Sequence, residues 1–191
     1  MYRKLLKYLA YVNQWRKQRI SNTNFLIIAA AVVGVLGGLA ASVLKKLTHY
    51  VANFLQNDFH WEYKYYLYFF FPLIGIFLTV LYVRTFIRRS KFQHGIPAIL
   101  YNISRNSSKL DFHNIYSQII SSALTVGLGG SAGLEAPAVA SGSAIGSNIG
   151  RFFGLDYRET TLLLACGAGA GIAGAFNSPV AGMIFAIEVI L

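Results

Sequence analysis

Two long apolar runs constrain the fold more than any other feature of this chain. Phe25 to Leu44 contains no charged residue, and about 20 apolar residues are enough for a helix to cross a bilayer. Tyr65 to Val83 is a second run, rich in aromatic residues, with Pro72 and Gly75 inside it. Such breakers are tolerated in membrane helices because neighbouring groups satisfy the freed backbone. Hydrophobic residues make up 55% of the sequence and charged residues 13%, which excludes an ordinary soluble domain. We therefore predict an all-α, polytopic membrane protein.

The net charge of +10 is placed around these runs. Six basic residues precede the first run, and a further cluster that includes Arg84, Arg88 and Arg89 follows the second. A nucleic-acid-binding face is instead a basic patch on a folded surface. The placement therefore favours membrane topology, and no nucleic-acid partner is predicted. By the positive-inside rule, the N-terminus and the region after Arg84 are cytoplasmic, in a protein of the cell membrane.

Residues 1–22 are expected to form an amphipathic helix on the cytoplasmic face, with Leu5, Leu9 and Val12 on its apolar side. They lack the apolar core and small-residue cleavage site of a signal peptide. Residues 23–191 are expected to form the transmembrane domain. Since the chain stops at Leu191 inside an apolar run, we expect this domain to be truncated at its C-terminus.

From Ile115 onward the apolar segments are short and rich in glycine, and the last two are separated by Asn177-Ser178-Pro179. Interrupted segments of this kind indicate helices that break inside the membrane around a binding site. Small residues recur four positions apart, at Gly142, Gly146 and Gly150 and again at Ala165, Gly169 and Ala173. Faces of small residues let helix backbones approach closely in lipid. These glycines are therefore expected to pack helices rather than to contact a ligand.

Glu135 is the single carboxylate between Asp111 and Asp156, and an ionisable group at membrane depth indicates function. Pro137 predicts a helix that starts at Ala136, and the unpaired N–H groups at such a start attract an anion. Glu135 would be a tethered anion that occupies this site when charged and leaves it when protonated or displaced. The alternative, left open by the residues alone, is that Glu135 caps its own helix or lies in an external loop.

The segment His94-Gly95-Ile96-Pro97 has the same form, a glycine and a proline before a helical segment. Two helix starts would then converge on one anion. His94 is either a hydrogen-bond donor or titrating group at that site, or a satisfied polar residue at an interface.

Enzymatic chemistry and metal binding find little support in the sequence. The turn around Ser131 matches the pattern G-x-S-x-G, but no histidine follows residue 113 to act as its base. The four histidines show no metal-ligand spacing with carboxylates or with Cys166, and Cys166 is interpreted as a packing residue. We predict no enzyme activity, no metal and no cofactor.

The stretches QHGIP, GLEAP and AGAFNSPVAGMIFAIE resemble the signatures GSGIP, G(K/R)EGP and AAAFNAPLAG-FxIE of the CLC family of chloride channels and chloride/proton antiporters. The resemblance runs from about Phe25 to Leu191. It implies a bundle of tilted and broken helices, the first of two inverted repeats, in a homodimer embedded in membrane lipid with chloride as the transported ion. It also implies that Glu135 is the gating residue. The residues expected around the anion are His94, Gly95, Ile96, Pro97, Gly133, Leu134, Ala136 and Pro137.

Three departures from the family pattern bear on function. Leu134 and Ala136 replace the basic residue and second glycine of G(K/R)EGP, a mild change. His94 replaces the serine whose hydroxyl binds the central anion, which leaves the anion preference open. Val189 stands where antiporters have a second glutamate that accepts protons from inside. We therefore predict a passive chloride channel gated by Glu135, with a chloride/proton or other halide antiporter as the alternative. A non-transporting membrane scaffold is the alternative from another class.

Overall fold

The computed structural model describes residues 21–57, 64–87 and 95–191, and these residues form seven α-helices and no strand. The helices are α1 (Asn22–Asn57), α2 (Lys64–Phe86), α3 (Gly95–Arg105), α4 (Asn114–Gly127), α5 (Glu135–Phe152), α6 (Tyr157–Phe176) and α7 (Pro179–Phe185), which continues as a π-helical turn, Ala186–Ile190. The all-α prediction is confirmed. The predicted N-terminal amphipathic helix lies outside the described residues over positions 1–20.

Three of the described helices are long and apolar enough to cross a membrane. They cover Asn22–Phe54, Phe69–Phe86 and Tyr157–Phe176, with mean hydropathies of 2.5, 1.9 and 1.3. Pro72 lies inside α2 without ending it. Helix α1 has 36 residues, and at about 1.5 Å per residue its length exceeds the thickness of the hydrocarbon core. This helix is therefore tilted or extends beyond the lipid tails.

The glycines of α5 form its contact surface with α6. A Cβ atom on Gly142 would overlap the carbonyl of Gly167, and one on Gly146 would overlap the carbonyl of Leu163. Farther along, Gly150 faces Thr160. The pairing runs in opposite directions along the two sequences, so α5 and α6 are antiparallel. The prediction that these glycines pack helices is confirmed.

Helix α6 also contacts α1 and α7 through small residues. A Cβ on Gly174 would come within 2.7 Å of the Cβ of Ala41 in α1, and one on Gly169 within 2.7 Å of the Gly182 carbonyl in α7. The main cluster of buried apolar residues includes Leu164 and Ala168 of α6. This helix is therefore the centre on which the others are assembled.

Both ends of α6 are defined by local hydrogen bonds. At its start, the Glu159 N–H donates to Asp156 Oδ1 at 2.8 Å and the Asp156 N–H donates to Glu159 Oε2 at 3.1 Å, a reciprocal capping box. At its end, Asn177 adopts a left-handed conformation with φ of 54°. Ser178 then caps α7, which starts at Pro179. The break predicted at Asn177-Ser178-Pro179 is confirmed.

Replacing Gly146 by alanine is expected to destabilise the bundle by about 1–3 kcal/mol, the usual cost of overpacking. The added methyl overlaps a backbone carbonyl, which no side-chain rotation can relieve. The matched control is Gly34→Ala, since a Cβ at Gly34 meets no atom within 4 Å. Thermal melting of the full-length protein in detergent measures the effect, and equal melting temperatures for both variants would show that the close approach is absent.

Candidate functional site

Helix α5 starts at Glu135 itself, one residue before the start predicted from Pro137. Leu134 is the residue before the helix, and its carbonyl accepts the first helical hydrogen bond from the Ala138 N–H at 3.1 Å. The N–H groups of Glu135 and Ala136 precede that bond and point out of the helix end. Since proline has no N–H, Pro137 adds no donor. Two backbone donors therefore lie at the positive end of the α5 dipole.

The Glu135 side chain lies back over the turn that precedes its helix. A Cβ atom on Gly133 would overlap Glu135 Oε2, and Oε1 is 3.6 Å from that position. Glu135 is half-buried, whereas Gly133 is exposed. Within the described ranges, the Glu135 carboxylate has no hydrogen bond or ion pair. The carboxylate is thus held at the helix start by position rather than by a specific partner.

The turn between α4 and α5 is tight at its beginning and open at its end. Gly129 has φ of 92°, a conformation that favours glycine. The Gly130 N–H donates to the Thr125 carbonyl at 2.9 Å. Ser131 and Ala132 are exposed, and helix α4, not a strand, precedes Ser131. The structure therefore lacks the strand that a nucleophile elbow requires.

Helix α3 starts at Gly95, whose φ of 78° again favours glycine. Gly95 and Ile96 are half-buried, and Pro97 is exposed. His94 lies outside the described residues, so its expected role stays a prediction. Gly95 lines a small cavity together with Ala140 of α5, which places the start of α3 beside the second turn of α5.

The two helix starts lie on the same side of the bundle. Near its start α3 adjoins Ala140, and the loop that follows α3 contacts Ser147 farther along α5. The helices therefore run in the same direction, and both direct the positive ends of their dipoles to one side. Ala140 follows Glu135 by five residues, roughly 7 to 8 Å of helix axis. The two helix starts therefore face the same side of the bundle, but the start of α3 lies farther along the α5 axis than Glu135 does.

A cavity of about 10 Å³ lies between α3, α4 and α5. Its lining residues are Gly95, Ala98, Ile99, Asn102, Leu110, Asn114, Gln118 and Ala140. This is close to the smallest volume that holds one water molecule, so the cavity is too small to serve as the anion site. The sequence did not predict this cavity, because Asn102 and Gln118 are two of several polar residues in α3 and α4 and nothing sets them apart.

Val189 lies in the π-helical turn after α7 and is exposed, whereas its neighbour Ile190 is buried. The Leu191 N–H donates to the Ala186 carbonyl at 3.2 Å, the wider spacing of a π-helix.

The described residues contain no group of three or more His, Cys, Asp or Glu side chains that is able to hold a metal ion.

Comparison with known proteins points to one family. Residues 75–191 match the model described as the voltage gated chloride channel. The H(+)/Cl(−) exchange transporter ClcA of Klebsiella pneumoniae is 30% identical over 182 residues, which cover 90% of this chain and 37% of that protein. The chloride channel protein CLC-e of Arabidopsis thaliana is 28% identical over 183 residues, 86% of this chain and 24% of that protein.

A solved structure supports the same fold. The crystal structure of a slow cyanobacterial Cl−/H+ antiporter matches with a TM-score of 0.61 and 24% identity, over 84% of this chain and 38% of that chain. The present chain thus spans less than two fifths of the length of the relatives it matches. With the family model matched over residues 75–191, the chain belongs to the CLC family of voltage-gated chloride channels and chloride/proton exchangers.

Proposed function

We propose that this chain supplies the first part of the membrane domain of a chloride transporter in which Glu135 controls access of the anion. The observation that carries the proposal is the position of the Glu135 carboxylate over Gly133, at the end of α5 from which the Glu135 and Ala136 N–H groups point. Backbone donors and a helix dipole at such a start attract anions. The tethered carboxylate and a mobile chloride ion compete for the same place.

Protonation of Glu135 is the proposed switch. A charged carboxylate is attracted to the positive end of α5, whereas a neutral one loses most of that attraction. The site then becomes available to chloride. Gly133 supports this mechanism because it leaves the space that the carboxylate fills, and Leu134 supports it because its carbonyl fixes where α5 begins.

The start of α3 is proposed as a second set of donors to the anion. Gly95 and Ile96 supply backbone N–H groups, and Pro97 supplies a turn suited to a helix start. The common direction of α3 and α5 favours this role. We propose that His94, immediately before Gly95, contacts the anion. Its imidazole would then give the site a different anion selectivity from a site that contains serine at this position.

Chloride/proton exchange is the mode of transport that the relatives favour, since ClcA and the cyanobacterial protein are both named for it. One observation favours passive conduction, predicted above from the sequence: Val189 offers no titratable group at the position where antiporters have a glutamate. We therefore propose exchange, with passive conduction as the second candidate.

We propose that the protein crosses the membrane several times and has its N-terminus in the cytoplasm. The charges around α1 and α2 support this orientation through the positive-inside rule. Two further proposals concern its assembly: an inverted second half completes the pore, and two subunits form a dimer surrounded by lipid. Neither an enzymatic step nor a cofactor is part of the mechanism.

Replacing Glu135 by glutamine in the full-length protein is expected to keep chloride flux and to remove its dependence on pH. Glutamine has the shape of the protonated side chain but carries no charge for the α5 dipole to attract. Chloride efflux from liposomes at several pH values measures the change. Asp58→Asn is the control, because Asp58 follows α1 in the sequence and belongs neither to the two helix starts nor to the loop between α3 and α4. A pH response equal to that of the wild type would remove Glu135 from the role of gate.

A companion variant tests the space over Gly133. In Gly133→Ala the new methyl takes the position of Glu135 Oε2, and the flexible carboxylate moves away without strain on the backbone. The dependence of chloride flux on pH is expected to weaken, as it does in Glu135→Gln, because the carboxylate no longer occupies the helix start. Because both changes act through one carboxylate, the double variant should show the same pH dependence of chloride flux as Glu135→Gln alone. Additive effects would show that Gly133 acts independently of Glu135.

Proton movement separates the two modes of transport. An exchanger uses a chloride gradient to move protons uphill, and its reversal potential shifts with a pH gradient. A passive pathway stays at the chloride equilibrium potential whatever the pH difference. We expect the shift. Its absence, with chloride flux present, would establish passive conduction, and the absence of any anion flux would leave a non-transporting scaffold.

A further inference from the structure

The loop between α3 and α4, residues 106–113, is fastened to α5 by one buried hydroxyl. Ser147 Oγ donates to the Ser108 carbonyl at 2.6 Å and accepts from the Leu110 N–H at 2.9 Å. Ser108 and Ser147 are both fully buried. A single side chain thus satisfies two backbone groups that have no water to bind.

The same loop makes further contacts along α5. The Leu110 carbonyl accepts from Asn148 Nδ2 at 3.3 Å and from the Arg151 guanidinium at 3.2 Å. Ser147, Asn148 and Arg151 lie within one turn and a residue of each other, so they form a polar patch near the end of α5. We call these three residues and the loop the α5 clasp.

The clasp holds the loop in a conformation that it would not adopt by itself. Ser107 and Ser108 have φ values of 51° and 58°, the left-handed region that non-glycine residues rarely enter. Such conformations persist only where the surroundings impose them. Ser108 Oγ also pairs with Thr161 Oγ1 of α6 at 2.6 Å. The loop is therefore fixed against both central helices.

Helix α3 is held by apolar packing along one side and by its C-terminal end: Ile99 belongs to the main buried cluster, and Ile96 and Ile103 pack against it. Ile99 and Asn102 are its two buried residues, and the Tyr157 hydroxyl donates to the Ile103 carbonyl near its C-terminal end at 3.2 Å. Helix α3 has 11 residues and continues directly into the loop, so the position of the loop acts on the C-terminal end of α3. A shift at the clasp therefore moves Gly95 at the other end.

We propose that Ser147 is a positioning residue for the anion site: through the α5 clasp it keeps the start of α3 beside the second turn of α5. Ser147 does not touch the anion and acts through the loop and α3. The proposal rests on the proposed function, because it assigns the start of α3 to anion binding.

Ser147→Ala in the full-length protein tests the proposal. The variant leaves the Ser108 carbonyl and the Leu110 N–H without their partner, so the start of α3 is less well placed. We expect the chloride concentration for half-maximal transport to rise by about two- to tenfold, the change that corresponds to loss of one or two such hydrogen bonds. A purely structural role would lower the amount of folded protein and leave this concentration unchanged.

Ser143→Ala is the matched control. Ser143 lies one turn earlier on α5 and is equally buried, but its hydroxyl has no hydrogen-bond partner among the described residues. Its removal should leave the half-maximal chloride concentration at the wild-type value. Equal values for Ser147→Ala and Ser143→Ala would overturn the proposal.

Two further variants keep the test decisive. Ser107→Gly makes the left-handed conformation inexpensive, so adding it to Ser147→Ala should restore part of the chloride affinity. If Ser147→Ala does not fold, Thr161→Val removes the pairing with Ser108 and should raise the half-maximal concentration in the same direction, whereas an unchanged value would contradict the clasp. A wild-type protein that moves no anion would overturn the proposed function, and this proposal would fall with it.

Discussion

The close approach of α5 and α6 is the contact on which the other elements depend. The carbonyls of Gly167 and Leu163 occupy the places where side chains of Gly142 and Gly146 would lie. In lipid, association of helices depends on such packing, because lipid tails are as apolar as the side chains they would replace. With α5 fixed in this way, the direction of its N-terminus and of Glu135 is set. Helix α6 then places α1 and α7 through small residues on its remaining faces.

Helix α5 combines three roles along its length. Its glycine face packs on α6, its first turn presents the Glu135 carboxylate and backbone donors, and its last turns hold the loop after α3. The polar patch at Ser147 is possible because the loop backbone brings its own unpaired groups into the buried region. Helix α5 therefore packs on α6 with one face and holds α3 in place with another. In this way it connects the two helix starts of the proposed anion site.

Much of this fold could be predicted from the sequence, because its signals are local. Uncharged length predicted α1 and α2, four-residue spacing predicted the contact faces of α5 and α6, and Pro179 predicted the break before α7. The start of α5 was predicted one residue late, since Pro137 occupies the third helical position rather than the second. The α5 clasp was not predictable, because Ser108 and Ser147 are 39 positions apart and neither stands out alone.

A bromide-bound structure of the full-length protein tests the central claim most directly. Bromide replaces chloride and is located by its anomalous scattering, and the Glu135→Gln variant removes the competing charge. The account predicts a bromide ion within hydrogen-bonding distance of the Ala136 N–H, on the side of the bundle where α3 begins at Gly95. Bromide bound elsewhere in the protein, with none at the start of α5, would contradict it.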